Sequence, residues 1–212
     1  MNKRYALHKP RYWKKACKEL SRKDLIMSGI IRNFRGESME SRKNPFYSIN
    51  RAIISQQISV KASDSIWDKY MLSLKELSPE TVRKARPSTL RSCGLSAQKI
   101  KYVKNISRYF SEEISQFSYW EKMNDHDVEE LLIDLNGVGK WTIEMFLIFC
   151  LMRPDVFPMG DIGLKRSIAI HYNQGKKMSE KQIENLARSW KPWRTVATWH
   201  LWRALDPVPV SY

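Results

Sequence analysis

Leu135-Asn136-Gly137-Val138-Gly139-Lys140-Trp141 leads into a long apolar run, which ends at Phe157-Pro158-Met159-Gly160-Asp161. Upstream, Asn124 or Asp125 can cap a helical pattern that reaches Leu135, with Asp127 and Glu129 in an acidic first turn. Downstream, Trp141 to Met152 reads as a second helix. The Gly-x-Gly between them predicts a tight turn in which Gly137 and Gly139 adopt positive φ and allow a close backbone approach. The amides that open the second helix lack intrahelical acceptors and suit a phosphate. Taken alone, the tripeptide reads equally well as an ordinary turn between two helices. A single carboxylate, Asp161, stands 20 residues after Trp141.

Outward from this stretch the chain reads as helix almost throughout. Tyr12 to Leu20 follows Pro10, and Asp24 to Asn33 follows a Ser21 cap. Phe46 to Gln56 follows Asn44-Pro45, a cap with proline at the first helical position. Ser59 to Leu74, a short helix opened by Ser78-Pro79-Glu80, and Ser96 to Phe110 come next. Ile100, Val103, Ile106 and Phe110 recur at three-to-four spacing. Ile162 to Tyr172, a helix capped by Ser179, and Trp193 to Leu205 complete the set. Arg35 to Lys43 is polar and predicts a surface loop. No segment alternates as a strand does, so the expected fold class is all-α with short connections.

Lysine and arginine outnumber aspartate and glutamate by 37 to 22, a net charge of +15. The basic residues are spread along the chain. That favours a folded basic face for a polyanion, most simply nucleic acid, over a charged tail. No apolar run of spanning length and no basic amphipathic anchor points to a membrane partner. The three cysteines, Cys17, Cys93 and Cys150, include no Cys-x-x-Cys pair. They cannot supply a four-cysteine iron–sulfur cluster or a structural zinc site. The first residues are charged and lack an apolar signal core, so a reducing, cytoplasmic location is the expectation.

Three segments in this order resemble the helix-hairpin-helix (HhH-GPD) superfamily of DNA glycosylases, specifically its 3-methyladenine DNA glycosylase II branch. They are Ile53-Ile54-Ser55-Gln56-Gln57-Ile58-Ser59-Val60-Lys61-Ala62, Leu135 through Asp161, and Trp190 through Arg203. Gly94-Leu95-Ser96 with Lys99 adds a weaker signature. The resemblance covers nearly the whole chain from Trp13 onward. It implies a two-lobed helical fold with the active-site cleft between the lobes: one of four to six helices over residues 45–130, the other from residues 10–44 with 131–212. The hairpin spans residues 125–153. It also implies a monomeric enzyme that takes an alkylated purine out of double-stranded DNA and hydrolyses its N-glycosidic bond.

The resemblance assigns roles by position. Asp161 matches the catalytic aspartate, and the same residue also reads as a helix N-cap before Ile162. Bifunctional relatives carry a nucleophilic lysine where this chain has Trp141; Lys140 falls one position early and faces phosphate. Water is therefore the expected nucleophile. Trp141 and Trp202 match aromatic pocket walls, whose ring faces attract a cationic alkylated base. Met145 and Ile162 stand where a relative has aromatic residues and would line a more adaptable pocket. Trp190, Trp193 and Trp199 read as core.

Gln57 matches the residue that fills the gap left by the flipped nucleotide, and Gln56 reads as a scaffold hydrogen-bonder. Gly137, Val138, Gly139, Lys140 and Lys165 are the expected DNA contacts, with Arg166 beside them. The carbonyls of Ile133, Leu135 and Val138 resemble those that hold a Na+ or K+ ion in family complexes with DNA; no other cofactor is implied. Two alternatives stand beside this reading. One is a hairpin module that only holds duplex. The other is a glycosylase-lyase, disfavoured by Trp141 and by the missing cluster cysteines.

Overall fold

Polar side chains placed one residue ahead of apolar periodic runs start most of the helices. The computed structural model describes residues 6–206, and all regular structure among them is helical. The helices are α1 (Trp13–Lys23), α2 (Leu25–Asn33), α3 (Pro45–Ser55), α4 (Val60–Leu74), α5 (Pro79–Lys84), α6 (Pro87–Ser92), α7 (Ala97–Tyr109), α8 (Phe117–Glu121), α9 (Asp125–Ile133), α10 (Lys140–Phe149), α11 (Ile162–Tyr172), α12 (Glu180–Ser189) and α13 (Arg194–Leu205). Asn44, Ser59, Ser96, Asn124 and Asp161 each accept a backbone N–H of the following first turn. Ser78 and Ser179 do so within reciprocal capping boxes. None of these helices is long and apolar enough to cross a membrane.

Ser21 does not cap. Helix α1 continues through it to Lys23, and Asp24 caps α2 by accepting from Met27 N at 2.9 Å. Helices α6 and α8 had no expectation. At six and five residues they are too short to show a helical repeat. The polar stretch Arg35 to Lys43 is anchored as well: Met39 is 1% exposed, and buried Ser41 donates to the carbonyl of Cys150.

The described residues form two compact units, one built on Ser41–Leu151 and the other on His8–Glu40 with residues 152–206. The expected division near residue 130 is not observed. Residues 131–151 belong to the first unit because α10 packs on α3 and α9. Every residue of α10 from Thr142 to Phe149 is buried, so the helix is the spine of that core. Trp120 of α8 is fully buried against Phe110 and the edge of Phe146, and its indole N–H donates to Ile114 O. Arg51 of α3 is 3% exposed. It pairs with Asp64, donates to Ser63 and stacks on Trp67, so its charge is compensated on each side.

The second unit is built on aromatic packing. Trp13 meets the edge of Trp199 and stacks on His200, and Trp190 packs with Phe157 and Tyr172. The Asp24 carboxylate accepts from Tyr172 Oη and Trp190 Nε1, tying α2 to both. Trp190 and Trp199 are buried, as expected of core residues, and Trp193 is 9% exposed.

His200 is fully buried, with Nδ1–H donating to Val196 O at 2.8 Å and Nε2 buried without a hydrogen-bond partner. Burial pushes its pKa down to about 4, against smaller opposing effects of the Val196 bond and Glu37. The folded state holds the ring neutral while the unfolded chain binds a proton below the ordinary histidine value. Stability from this residue is therefore complete above about pH 6.5 and declines toward pH 4, by up to about 3 kcal/mol. Urea unfolding at pH 7 and pH 5 should show this slope in the wild type and a smaller one in His200→Phe. Equal slopes in the two proteins would refute the assignment.

Candidate functional site

In the first unit the turn between α9 and α10 is closed by backbone hydrogen bonds from Leu135 N to Leu132 O and from Val138 N to Leu135 O. Gly137 has φ +94°, and a Cβ there would fall 2.1 Å from Cγ of Tyr102. Glycine is therefore required twice, by the left-handed backbone and by the ring on which the turn sits. Gly139 departs from expectation: its φ is −118°, which any residue adopts. A Cβ at Gly139 meets nothing within 4 Å. Its exposed backbone is accessible from outside, and it stands as N-cap of α10 without a side-chain cap. Lys140 is exposed at the first position of that helix.

Val138, expected among the DNA contacts, is turned inward. Its amide is used inside the turn and its side chain is 7% exposed, so it anchors the turn in the core. Met145 is corrected as a pocket lining: it is 2% exposed and packs in the buried body of α10, one turn beyond the half-buried Trp141. Tyr102 was not anticipated. An aromatic residue on the amphipathic α7 carries no local signal of the glycine that will rest against it.

Gln56 and Gln57 take different roles. The Gln56 amide donates to Gly137 O and Thr142 Oγ1, both at 2.8 Å, clamping the end of α3 to the turn and to α10. Gln57 is exposed and holds φ +58°, a left-handed conformation that is uncommon for a residue with a side chain. Lys99 of α7 donates to Ile54 O at 2.6 Å and Gln56 O at 2.8 Å, and its partial burial lowers its pKa.

In the second unit Asp161 is the N-cap of α11, as anticipated. Its Oδ1 accepts from Leu164 N at 2.6 Å, capping α11, and from the indole N–H of Trp202 at 3.0 Å. Trp202, half-buried on α13, is thus a partner of the carboxylate through its edge. Gly163 is a further site residue that sequence reasoning missed; a Cβ there would lie 3.2 Å from Asp161 Oδ1 and 3.9 Å from Trp202 Cδ1. Its only signal was a glycine two residues after the aspartate.

Ile162 is 82% exposed, so it is open to solvent and not packed into a formed wall. Lys165 is paired with Glu180 at 2.8 Å, while Arg166 is exposed. The exposed pair is screened by water and can exchange for phosphate. Asp155 serves structure: it takes a two-pronged ion pair from Arg194 at the start of α13.

The fold and turn define a helix-hairpin-helix protein. A family model described as the HhH-GPD superfamily base excision DNA repair protein matches residues 51–192. The alkylbase DNA glycosidase-like protein mag2 of Schizosaccharomyces pombe is 30% identical over 198 residues, covering 90% of this chain and 93% of that protein. The solved 3-methyladenine DNA glycosylase of Schizosaccharomyces pombe in complex with abasic DNA superposes with a TM-score of 0.80 at 30% identity, over 89% of this chain and 95% of that one. A DNA-3-methyladenine glycosidase from Bacillus halodurans gives 0.73 at 28% identity, over 95% of this chain and 93% of that one. The chain belongs to the HhH-GPD superfamily of base excision DNA repair proteins.

The two glycines should separate in stability. Gly137→Ala should lower it by about 1–3 kcal/mol or more, through strained φ and displacement of Tyr102. Gly139→Ala should cost at most about 1 kcal/mol, the difference between the two residues as an N-cap. Denaturant midpoints measure both, and the reverse order would contradict this account of the turn.

Proposed function

We propose that this chain is a monofunctional DNA glycosylase that extrudes alkylated purines, of the 3-methyladenine and 7-methylguanine type, from double-stranded DNA and hydrolyses their N-glycosidic bond. The observation that carries the reading is the Asp161 carboxylate, capped onto α11 and braced by Trp202 Nε1. It stands in a chain that matches the family model of base excision DNA repair proteins and resembles an alkylbase DNA glycosidase-like protein.

The chemistry follows from charge. Alkylation places positive charge on the purine and makes it a better leaving group. As the bond to the sugar lengthens, oxocarbenium character develops at the anomeric carbon, and a fixed carboxylate beside it is stabilising. Asp161 also orients the attacking water or accepts its proton. Its α11 amide and Trp202 indole donors hold it before substrate arrives, so little reorganisation accompanies the reaction. Trp141 offers a half-buried ring face to the extruded base. With tryptophan at this position no amine stands ready for a Schiff base, and water is the nucleophile.

Nucleotide extrusion is needed because the reacting bond cannot be reached in the stack. Gln57 enters the vacated space, and the Gly139 and Lys140 amides with the Lys140, Lys165 and Arg166 side chains meet the backbone. The carbonyls of Ile133, Leu135 and Val138 would hold a Na+ or K+ ion at the turn. Ile133 ends α9, so its carbonyl belongs to the helix's unmatched set, and Leu135 O keeps a second lone pair beside its bond from Val138 N. Such an ion would neutralise a nearby phosphate. The enzyme acts as a monomer and needs no other cofactor.

Asp161→Asn keeps an oxygen for Leu164 N and Trp202 Nε1, so it should fold and bind DNA normally while releasing no base above background. The wild type should leave intact strands with abasic sites, cleaved only by later alkali, and borohydride should trap no adduct. Chromatography of bases released from methylated duplex, with gel analysis of the strands, checks both; undiminished release by the mutant would remove Asp161 from the reaction. Trp202→Phe retains a ring but loses the donor to Asp161. It should reduce the single-turnover rate by about ten-fold, the scale of one lost hydrogen bond to a charged group. Affinity for an abasic product duplex should be preserved. A loss of affinity with an unchanged rate would mean that Trp202 contacts DNA and does not brace the carboxylate.

A further inference from the structure

The first unit contains a lysine whose position serves neither its own helix nor the hairpin's phosphate-facing rim. Lys99 is the third residue of α7, and its backbone N–H is fixed by the Ser96 cap. Its side chain crosses to the end of α3 and donates to the carbonyls of Ile54 and Gln56. These are terminal carbonyls, for which a helix offers no donor and which a cation suits best. Gln56 is held in two further ways: its amide N donates to Ile53 O at 3.3 Å, and its side chain is clamped to Gly137 O and Thr142 Oγ1. The next residue is Gln57, exposed and at positive φ. The chain reverses at Gln57 immediately after a peptide carbonyl that Lys99 holds.

We propose that Lys99 is a positioning residue for nucleotide extrusion: by fixing the Gln56 carbonyl, it holds Gln57 in the left-handed conformation from which its side chain enters the duplex. The inference rests on the glycosylase reading and on Gln57 as the inserting residue. A left-handed glutamine costs free energy relative to the extended or helical conformations open to it. It persists only where the neighbouring peptide is over-determined. Without Lys99 the Gln56–Gln57 peptide can rotate, Gln57 relaxes toward negative φ, and its amide no longer points where the flipped nucleotide leaves a gap. Lys99 makes no contact with DNA in this account, and its loss acts only through Gln57.

The test uses wild type, Lys99→Met, Gln57→Ala and the double variant on two forms of one methylated oligonucleotide: a fully paired duplex and the single strand. Single-turnover base release is measured on both, and fluorescence of 2-aminopurine beside the lesion reports extrusion in the duplex. On duplex, Lys99→Met should slow release by roughly ten-fold, similar to Gln57→Ala, and the double variant should be no slower than the slower single one. On the single strand, where there is no stack to invade, all four should release base at similar rates. Multiplicative losses, an unchanged duplex rate in Lys99→Met, or an equal loss on single strand and duplex would each overturn the proposal.

Lys99→Arg keeps donors for both carbonyls and should restore the duplex rate even if the methionine variant proves too unstable to assay. Failure of a folded Lys99→Arg to do so, with binding intact, would also count against it. If the wild type releases no base, the glycosylase reading fails. The 2-aminopurine signal then still tests the positioning role, since a Lys99→Met protein that extrudes the nucleotide as well as wild type refutes it independently.

Discussion

The Gln56 side-chain amide, donating at once to Gly137 O and Thr142 Oγ1, is the constraint on which the first unit's functional surface depends. It joins the end of one buried helix to the turn that opens another. Helix α10 is fixed in turn by burial of eight consecutive residues from Thr142 to Phe149. Because both ends of the clamp are anchored in a close-packed core, a small displacement at either end cannot be absorbed locally. Gly137 against Tyr102, the left-handed Gln57 and the Lys99 bonds to the end of α3 all lie next to this connection.

The second unit achieves rigidity differently. Its carboxylate is held by donors from two helices, the backbone of α11 and the indole of α13. Those helices are joined again where Ser167 Oγ donates to Leu201 O at 2.6 Å. In the proposed reaction Asp161 serves as cap and as reactive group without conflict, because capping engages Oδ1 and orients the whole carboxylate. Gly163 completes the arrangement, because a side chain there would press on both Asp161 and Trp202.

The positive charge of the chain serves two purposes that its total does not distinguish. Arg51, Lys99, Lys104, Arg194 and Arg203 are used internally, against carboxylates or helix-end carbonyls. Lys140 is exposed at the start of α10 and Arg166 is exposed on α11. A net charge of +15 predicts attraction to a polyanion; which cations meet it is a matter of where helix ends need donors.

Local chemistry in the sequence determined the all-α class, the capped starts at Asn44, Ser59, Ser96, Asn124, Asp161 and Ser179, the glycine turn, and the resemblance that marks Asp161 and Gln57. Those features are legible because a cap, a period or a motif is complete within a few residues. The tertiary structure alone decided which glycine is conformationally required, that Val138 spends its amide inside the turn, that Met145 is core, and that Trp202 presents its N–H to Asp161. It also placed residues 131–151 with the first unit and brought Tyr102 and Lys99 to the hairpin and to α3. Apart from the Val138 bond, which is local to the turn, each of these depends on partners 35 or more residues apart or on which face of a helix is buried, and chain-local patterns of capping and periodicity carry neither.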